Sequence, residues 1–423
     1  MNIAVLGLSA MLCAALLPGG ANARDRSLAQ VTAAPDTRAV LKAIDDAQGD
    51  TNRRLVAIGG IISPSGQEQA RAAAVKAEME HVGLTQVTQD ARPNVVGVIK
   101  GRSGRALVFV STLDDLATVA DHQRAAGVPP RIEGDRIIGP GTNTGSTVVA
   151  MLAAAEALIR SGIKPEHDLV FAAVAQEETG LDGMRALYPQ YRDRAVAFVD
   201  ILGDGDSISY GAIGIHWWKV TAKGPPGHTL MGGLPNVNQG IGRAVDRILS
   251  LPDPTAHADS NTRLNISILN SGAVFNHKPE SGWFSIDLRS LDGAVIAGIE
   301  RRMWGILDQV TAETGIGFDR AVENEVPAGQ IPGALASPLV RWSAAIAQSM
   351  GRQAKLSNAG SANLNIAIAG GTPAIGIGGE RGGQRGFADE WADVGVLNRT
   401  AKHVALLALT VGNGDGFRGE SPR

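Results

Sequence analysis

The stretch Asp168–Gly180, DLVFAAVAQEETG, constrains this chain more than any other. Its centre, Leu169 to Ala175, is an unbroken run of Leu, Val, Phe and Ala. A strand with one wet face alternates apolar and polar residues. This run does not, so both its faces must be covered, as in a parallel sheet. The run ends in two adjacent carboxylates, Glu177 and Glu178. In open α/β sheets the chemistry lies beyond the carboxyl ends of the strands, which is where these two fall. Neighbouring residues leaving a strand point in different directions. One glutamate can therefore face a metal or substrate while the other acts as a base. The plainer alternative is a helix N-terminus, where the macrodipole favours Glu.

The rest of the chain fits a sheet of this kind. Ser63 to Gly83 reads as a helix opened by a capping box, Ser65 with Glu68, and stopped by Gly83. Asn94 to Lys100 and Arg105 to Ser111 read as strands, the second ending in Thr112-Leu113-Asp114-Asp115. A glycine-rich turn, Gly139 to Gly145, leads into a long apolar helix that ends near Gly162. Neither phosphate-binding glycine pattern fits that turn, which argues against a nucleotide. A helix and a strand, Ala195 to Ile201, follow the central stretch. Alternating strands and helices predict a three-layer, mostly parallel α/β domain.

Near Gly211 the pattern changes. Strand Ile215 to Lys223, helix Val237 to Leu251, strands Arg263 to Asn270 and Trp283 to Arg289, helix Asp292 to Thr314 and a strand at Arg320 to Glu325 make a split βαβ order. From about Pro332 the first pattern returns: helix Ser337 to Met350, strand Ala374 to Gly378, and a closing helix near Val396 to Val411. The predicted domains are 37–212 and 329–423 for the large α/β unit and 213–328 for an inserted α+β unit.

Composition narrows the function. With 423 residues, 19% charged, and a formal net charge of -3, the chain lacks the basic excess of a nucleic-acid binder. Residues 1–23 are apolar, too short for a comfortable span, and end in Ala21-Asn22-Ala23. This predicts a cleaved export signal and a periplasmic or secreted protein. Residues 24 to 36 read as a loose leader. The single cysteine, Cys13, lies in the signal. The mature chain would have no disulfide and no thiolate ligand.

Five landmarks line up: the strand ending STLDD, the turn GPGTNTGS, QEETG, GPPGHT around His228, and GGERGGQRGFADEW. Their order and spacing resemble the dinuclear-zinc exopeptidase and amidohydrolase family of peptidase T, carnosinase and acetylornithine deacetylase. The likeness covers nearly all the chain after residue 40. It implies an inserted lid domain that often dimerises, and paired zinc ions that polarise an amide carbonyl and activate water.

Carried over position by position, the resemblance also implies losses. The family's first motif, His-x-Asp, reads Thr112-Leu113-Asp114. The bridging aspartate falls on Thr144, and the histidine of the last motif falls on Gly386, with Glu390 and Trp391 fixing the register. Glu177 matches the general base and Glu178 a ligand. Asp200, with Asp204 as fallback, matches the remaining carboxylate. Threonine and glycine are poor replacements for His and Asp as zinc ligands. The implied cofactor state is no paired zinc. The alternative is at most one weak zinc on Glu178, Asp200 and a further ligand. Asp115 and His122 lie near the first motif, but His122 falls in a polar run that reads as a surface loop.

The remaining resemblances point to a substrate. His228 matches a lid histidine that reaches the substrate carbonyl, and Asn276 a substrate-contacting residue. Arg289 matches a structural Asp-x-Arg pair. Arg381 and Arg385, beside the lost histidine, would put fixed positive charge where a metal stood or clamp a carboxylate. Asn363 stands where an aspartate is common. The expectation is a hydrolase of small peptides or N-acyl-amino acids that uses Glu177 as a metal-free acid/base. Two alternatives stand beside it, a non-catalytic binder and a metal-dependent exopeptidase. The inserted domain is the candidate homodimer surface.

Overall fold

The computed structural model describes residues 26–251 and 259–415. The predicted export signal, residues 1–23 with Cys13, lies outside them. The main sheet has eight strands. Their order is Thr85–Gln89, Val95–Ile99, Asp168–Val174, Ala106–Thr112, Ala195–Ile201, Ala374–Gly378, Ser207–Ser209 and Lys355–Ser357. The four middle strands run parallel, so their carboxyl ends share one edge.

The unbroken apolar run has the burial it requires, because two separate cores divide it. Leu169, Phe171 and Ala173 pack with the helices Thr142–Arg160 and Val394–Leu409 on one face. Val170, Ala172 and Val174 pack with Asp182–Tyr191 and Leu364–Ala369 on the other. Each large side chain so buried contributes about 1.5–3 kcal/mol. This is the mostly parallel three-layer α/β architecture expected. Among the described residues no helix is long and apolar enough to cross a membrane.

The glycine-rich turn is a steric requirement. Gly141 caps the helix Thr142–Arg160 with φ +90°, and a Cβ there would lie 2.3 Å from the Gly59 carbonyl oxygen. The carboxylate of Glu390 accepts the N–H groups of Gly141, Asn143 and Gly386 at 2.9–3.0 Å. One buried glutamate thus ties the positive end of that helix to the late glycine-rich loop.

Residues 214–326 form a second, antiparallel sheet with the order Arg263–Asn265, Ser281–Ser290, Gly214–Lys223, Gly317–Val326. Helices Val237–Leu249 and Gly293–Thr314 cover one of its faces through Val220, Phe284, Ile286, Ile241 and Met303.

Several local expectations are corrected. The capping box at Ser65 does not form: the helix starts at Gln69, and Glu68 binds the N–H groups of Gly66 and Gln176 instead. The supposed loose leader is helical from Leu28, capped by Ser27 and Gln30 and pinned by buried Val31. The strand expected over Arg263 to Asn270 is broken into Arg263–Asn265 and Leu269–Ser271. Between them the Ser285 hydroxyl takes the N–H groups of Ser267 and Ile268. His122 lies on the helix Ala117–Ala126, not in a loop.

Candidate active site

The loop that carries the two glutamates is held by side chains from elsewhere. Four successive N–H groups, of Ala175, Gln176, Glu177 and Glu178, leave the strand without sheet partners. Asn94 accepts the first at 3.0 Å and Glu68 the second at 3.1 Å. The two carboxylate oxygens of Asp114 accept the third and fourth, each at 3.0 Å. Gln176 has φ +54°, a left-handed conformation that costs a non-glycine residue energy. The three acceptors offset that cost and aim Glu177 and Glu178 away from the sheet.

Asp114 is itself buried, and it also accepts the Thr112 hydroxyl. Next to it, Asp115 pairs with buried Arg71 at 2.6 Å. The same guanidinium donates to the carbonyls of Leu113 and Ile61. Burial still pushes the Asp115 carboxyl above the ordinary carboxylate range, with Arg71 opposing.

Thr112, Glu177, Glu178, Arg381 and Arg385 line one cavity of about 250 Å³. Its other walls are Leu181, Leu202, Ile215, Trp217, Asn324, Val326, Ser361 and Ala362. The main sheet thus supplies the charged floor, and the second sheet supplies part of the wall. Arg385 forms an ion pair with Glu178. Burial lowers Arg381 to about 10, helped by Arg385, so it keeps its charge at neutral pH. Glu177 is raised well above the usual carboxylate range by burial first, then by Glu178, Asp114 and Asp200. Glu178 is raised by burial, with Arg385 opposing.

Asp200 is buried on the neighbouring strand. It accepts the Leu364 N–H at 3.0 Å and the Asn363 side-chain N–H at 3.5 Å. Burial raises it to about 7. Asp204, the fallback, is held instead by Arg352 and Arg399 at 3.3–3.4 Å. Asn363 is fully buried beside Asp200, with its Oδ1 unpaired.

The other expected residues lie apart. His228 and Asn276 are hydrogen-bonded to each other at 3.1 Å on the ribbon that pairs Gly227–His228 with His277–Lys278, and neither lines the cavity. Arg289 binds Asp287 on its own strand. Thr144 is buried next to Asp115, and Gly386 has φ +86° with its N–H on Glu390. Among the described residues, no three His, Cys, Asp or Glu side chains come together as a ligand set for a metal ion. The donor chemistry agrees: Asp114 is spent on backbone N–H groups and Glu178 on a guanidinium. The residues present do not fit a pair of metal ions.

Trp217, Asn324, Glu68 and Asn94 were not anticipated. Trp217 lies on the strand Ile215 to Lys223, in HWW. Glu68 and Asn94 act on a loop more than eighty residues away, which local patterns do not reveal.

The sequence model of peptidase family M20/M25/M40 matches residues 115–410. Carboxypeptidase G2 of Pseudomonas sp. (strain RS-16) is 28% identical over 297 residues, 67% of this chain and 67% of that protein. Among solved structures, a tripeptidase of Staphylococcus aureus subsp. aureus mu50 aligns with TM-score 0.72 at 18% identity, covering 87% of this chain and 99% of that one. The Bacillus subtilis YXEP protein, described as a dinuclear metal binding peptidase, aligns with TM-score 0.62 at 14% identity, covering 86% and 99%.

Proposed function

The chain belongs to peptidase family M20/M25/M40, and from that membership we propose that it is a hydrolase of small peptides or N-acyl-amino acids that works through Glu177 without paired metals. One observation carries this reading. The carboxylate that the family resemblance assigns to a metal, Glu178, is ion-paired to Arg385, with Arg381 lining the same cavity. Thr112, Thr144 and Gly386 stand at the other ligand positions.

Buried, and crowded by Glu178, Asp114 and Asp200, Glu177 holds a proton more tightly than an ordinary glutamate, as one member of a carboxylate pair does. It gives that proton to the leaving amide nitrogen as water adds to the carbonyl carbon, and it recovers a proton from that water. The C–N bond breaks, and an acid and an amine leave. Arg381 holds the substrate carboxylate. Residues 213–328 act as the lid, and closure or a second copy brings His228 and Asn276 to the substrate. Ala21-Asn22-Ala23 supports export of the mature chain.

The test is elemental analysis of the mature protein before and after zinc, followed by a screen of N-acyl-amino acids and dipeptides with wild type and Glu177→Gln. The expected result is no tightly held metal, with turnover lost in Glu177→Gln. Two tightly held zinc equivalents would refute the reading. Ligand binding without turnover in either protein would make the chain a binder.

A further inference from the structure

The cavity lined by Glu177 contains a feature that the acid/base reading does not use. The strands Gly214–Lys223 and Gly317–Val326 pair in regular register until a bulge between Val322 and Asn324. Before it Val322 faces Trp218, and after it Asn324 faces Trp217. Bulges re-aim side chains. Here the shift places Asn324 beside Trp217 on the cavity wall. Trp217 is 41% exposed, unusual for an indole on a sheet whose other face is packed. The Oδ1 of Asn324 is shut off from solvent and accepts no hydrogen bond from the described residues. A buried amide oxygen is rarely left so. The terminal torsion of Asn is broad, so the amide can turn its oxygen into the cavity.

We propose that Trp217 and Asn324 form the subsite for the substrate's own amide group: the flat amide lies on the indole and its N–H donates to Asn324 Oδ1. This rests on the reading of the substrate as an N-acyl-amino acid. The nearby Leu181, Leu202, Ile215 and Val326 favour an apolar side chain on that amino acid. A cavity of about 250 Å³, small among ligand pockets, suits a single acylated residue. Asn324 is a specificity residue, apart from the proton transfer at Glu177.

The probe pair is N-acetyl-L-leucine and N-acetyl-N-methyl-L-leucine, which differ in one N–H. Binding of each to the mature protein is measured by calorimetry, for wild type, Asn324→Leu and Asn324→Asp. Wild type is expected to bind the N–H compound about tenfold more tightly. Asn324→Leu, of similar size but with no acceptor, should bind both equally. Asn324→Asp keeps an acceptor and should keep the preference, which guards against a misfolded Leu variant. Equal binding of both probes by wild type would overturn the subsite and leave the substrate reading intact. A preference that persists in Asn324→Leu would mark a steric effect and overturn it as well. No binding of either probe to wild type would overturn the substrate class and the subsite with it.

Discussion

Asp200 is a buried acid that prefers its proton, so its replacement by asparagine should change how stability depends on pH. Burial raises its carboxyl from the ordinary 3.8 to about 7. The folded protein therefore binds this proton more tightly than the unfolded chain. The stability it contributes is complete below about pH 4 and is lost as pH rises through about 7. At about 1.4 kcal/mol for each pH unit, ionising Asp200 costs the fold roughly 4 kcal/mol by pH 8. Asp200→Asn cannot ionise and should avoid that loss. The local bonds tolerate the change. The new amide oxygen can accept the Leu364 N–H that Asp200 accepts now. Its amino group can reach Asn363, whose Oδ1 has no partner and needs only an amide flip to accept. Asp200 also helps to raise Glu177, so the substitution lowers Glu177 too, and that effect has the same sign. Urea unfolding of both proteins from pH 4 to pH 8, followed by circular dichroism, checks this. The variant's stability relative to wild type should improve by roughly 4 kcal/mol across that range. A difference that stays flat with pH, or grows the other way, would refute the reasoning. A cation held on Asp200 would keep it ionised and give that flat result, and the metal-free reading would fall with it.

Two further substitutions test the support under the glutamate loop. Arg71→Met leaves Asp115 buried without its partner and should cost about 3–5 kcal/mol, read as a lower urea midpoint with the slope unchanged. A loss under about 1 kcal/mol would mean the Arg71–Asp115 pair does not anchor this loop. Asp114→Asn keeps one acceptor for two N–H groups, so one of Glu177 and Glu178 loses its bond. The expected cost is about 1–3 kcal/mol, seen as a fall in melting temperature together with lower turnover. Unchanged turnover would show that Asp114 does not set the position of Glu177.

The parts of the fold that were legible share one property: their signal is carried by adjacent residues. The run at Leu169 to Ala175 announces a strand covered on both faces because no residue in it is polar. The strand Thr85–Gln89, TQVTQ, lies at the sheet's outer edge, largely exposed, and has no apolar signal to read. Glu68 shows the limit of local rules. Its spacing from Ser65 fits a capping box, yet its carboxylate is taken by the Gln176 N–H across the molecule, where a strained backbone needs an acceptor more. The glutamate pair and the two arginines were legible because motif order marks them. Asn324 was not, because a bulge is a property of two strands in register and leaves no mark on one of them.

The charge balance of the cavity ties these observations together. Glu177, Glu178, Asp114 and Asp200 lie within electrostatic reach of one another, against Arg381 and Arg385. Two positive charges cannot fully compensate four negative ones in a partly dry site, so the least supported carboxyls hold their protons more tightly. Glu178 has a guanidinium partner, and Asp114 has two N–H donors and a hydroxyl. Among the described residues, Glu177 has no cation in ion-pair contact, and the donors to Asp200 are neutral. The surplus weighs most on these two, and both are raised, while Arg385 opposes the rise of Glu178. Paired dications would supply enough charge to hold all four ionised, and a glutamate there would serve as a base. In the metal-free reading proposed above, the compensation is limited to two arginines built into the chain, and the same glutamate would act as an acid. On that reading, a switch from base to acid would need no new side chain at position 177, only the exchange of mobile cations for fixed ones.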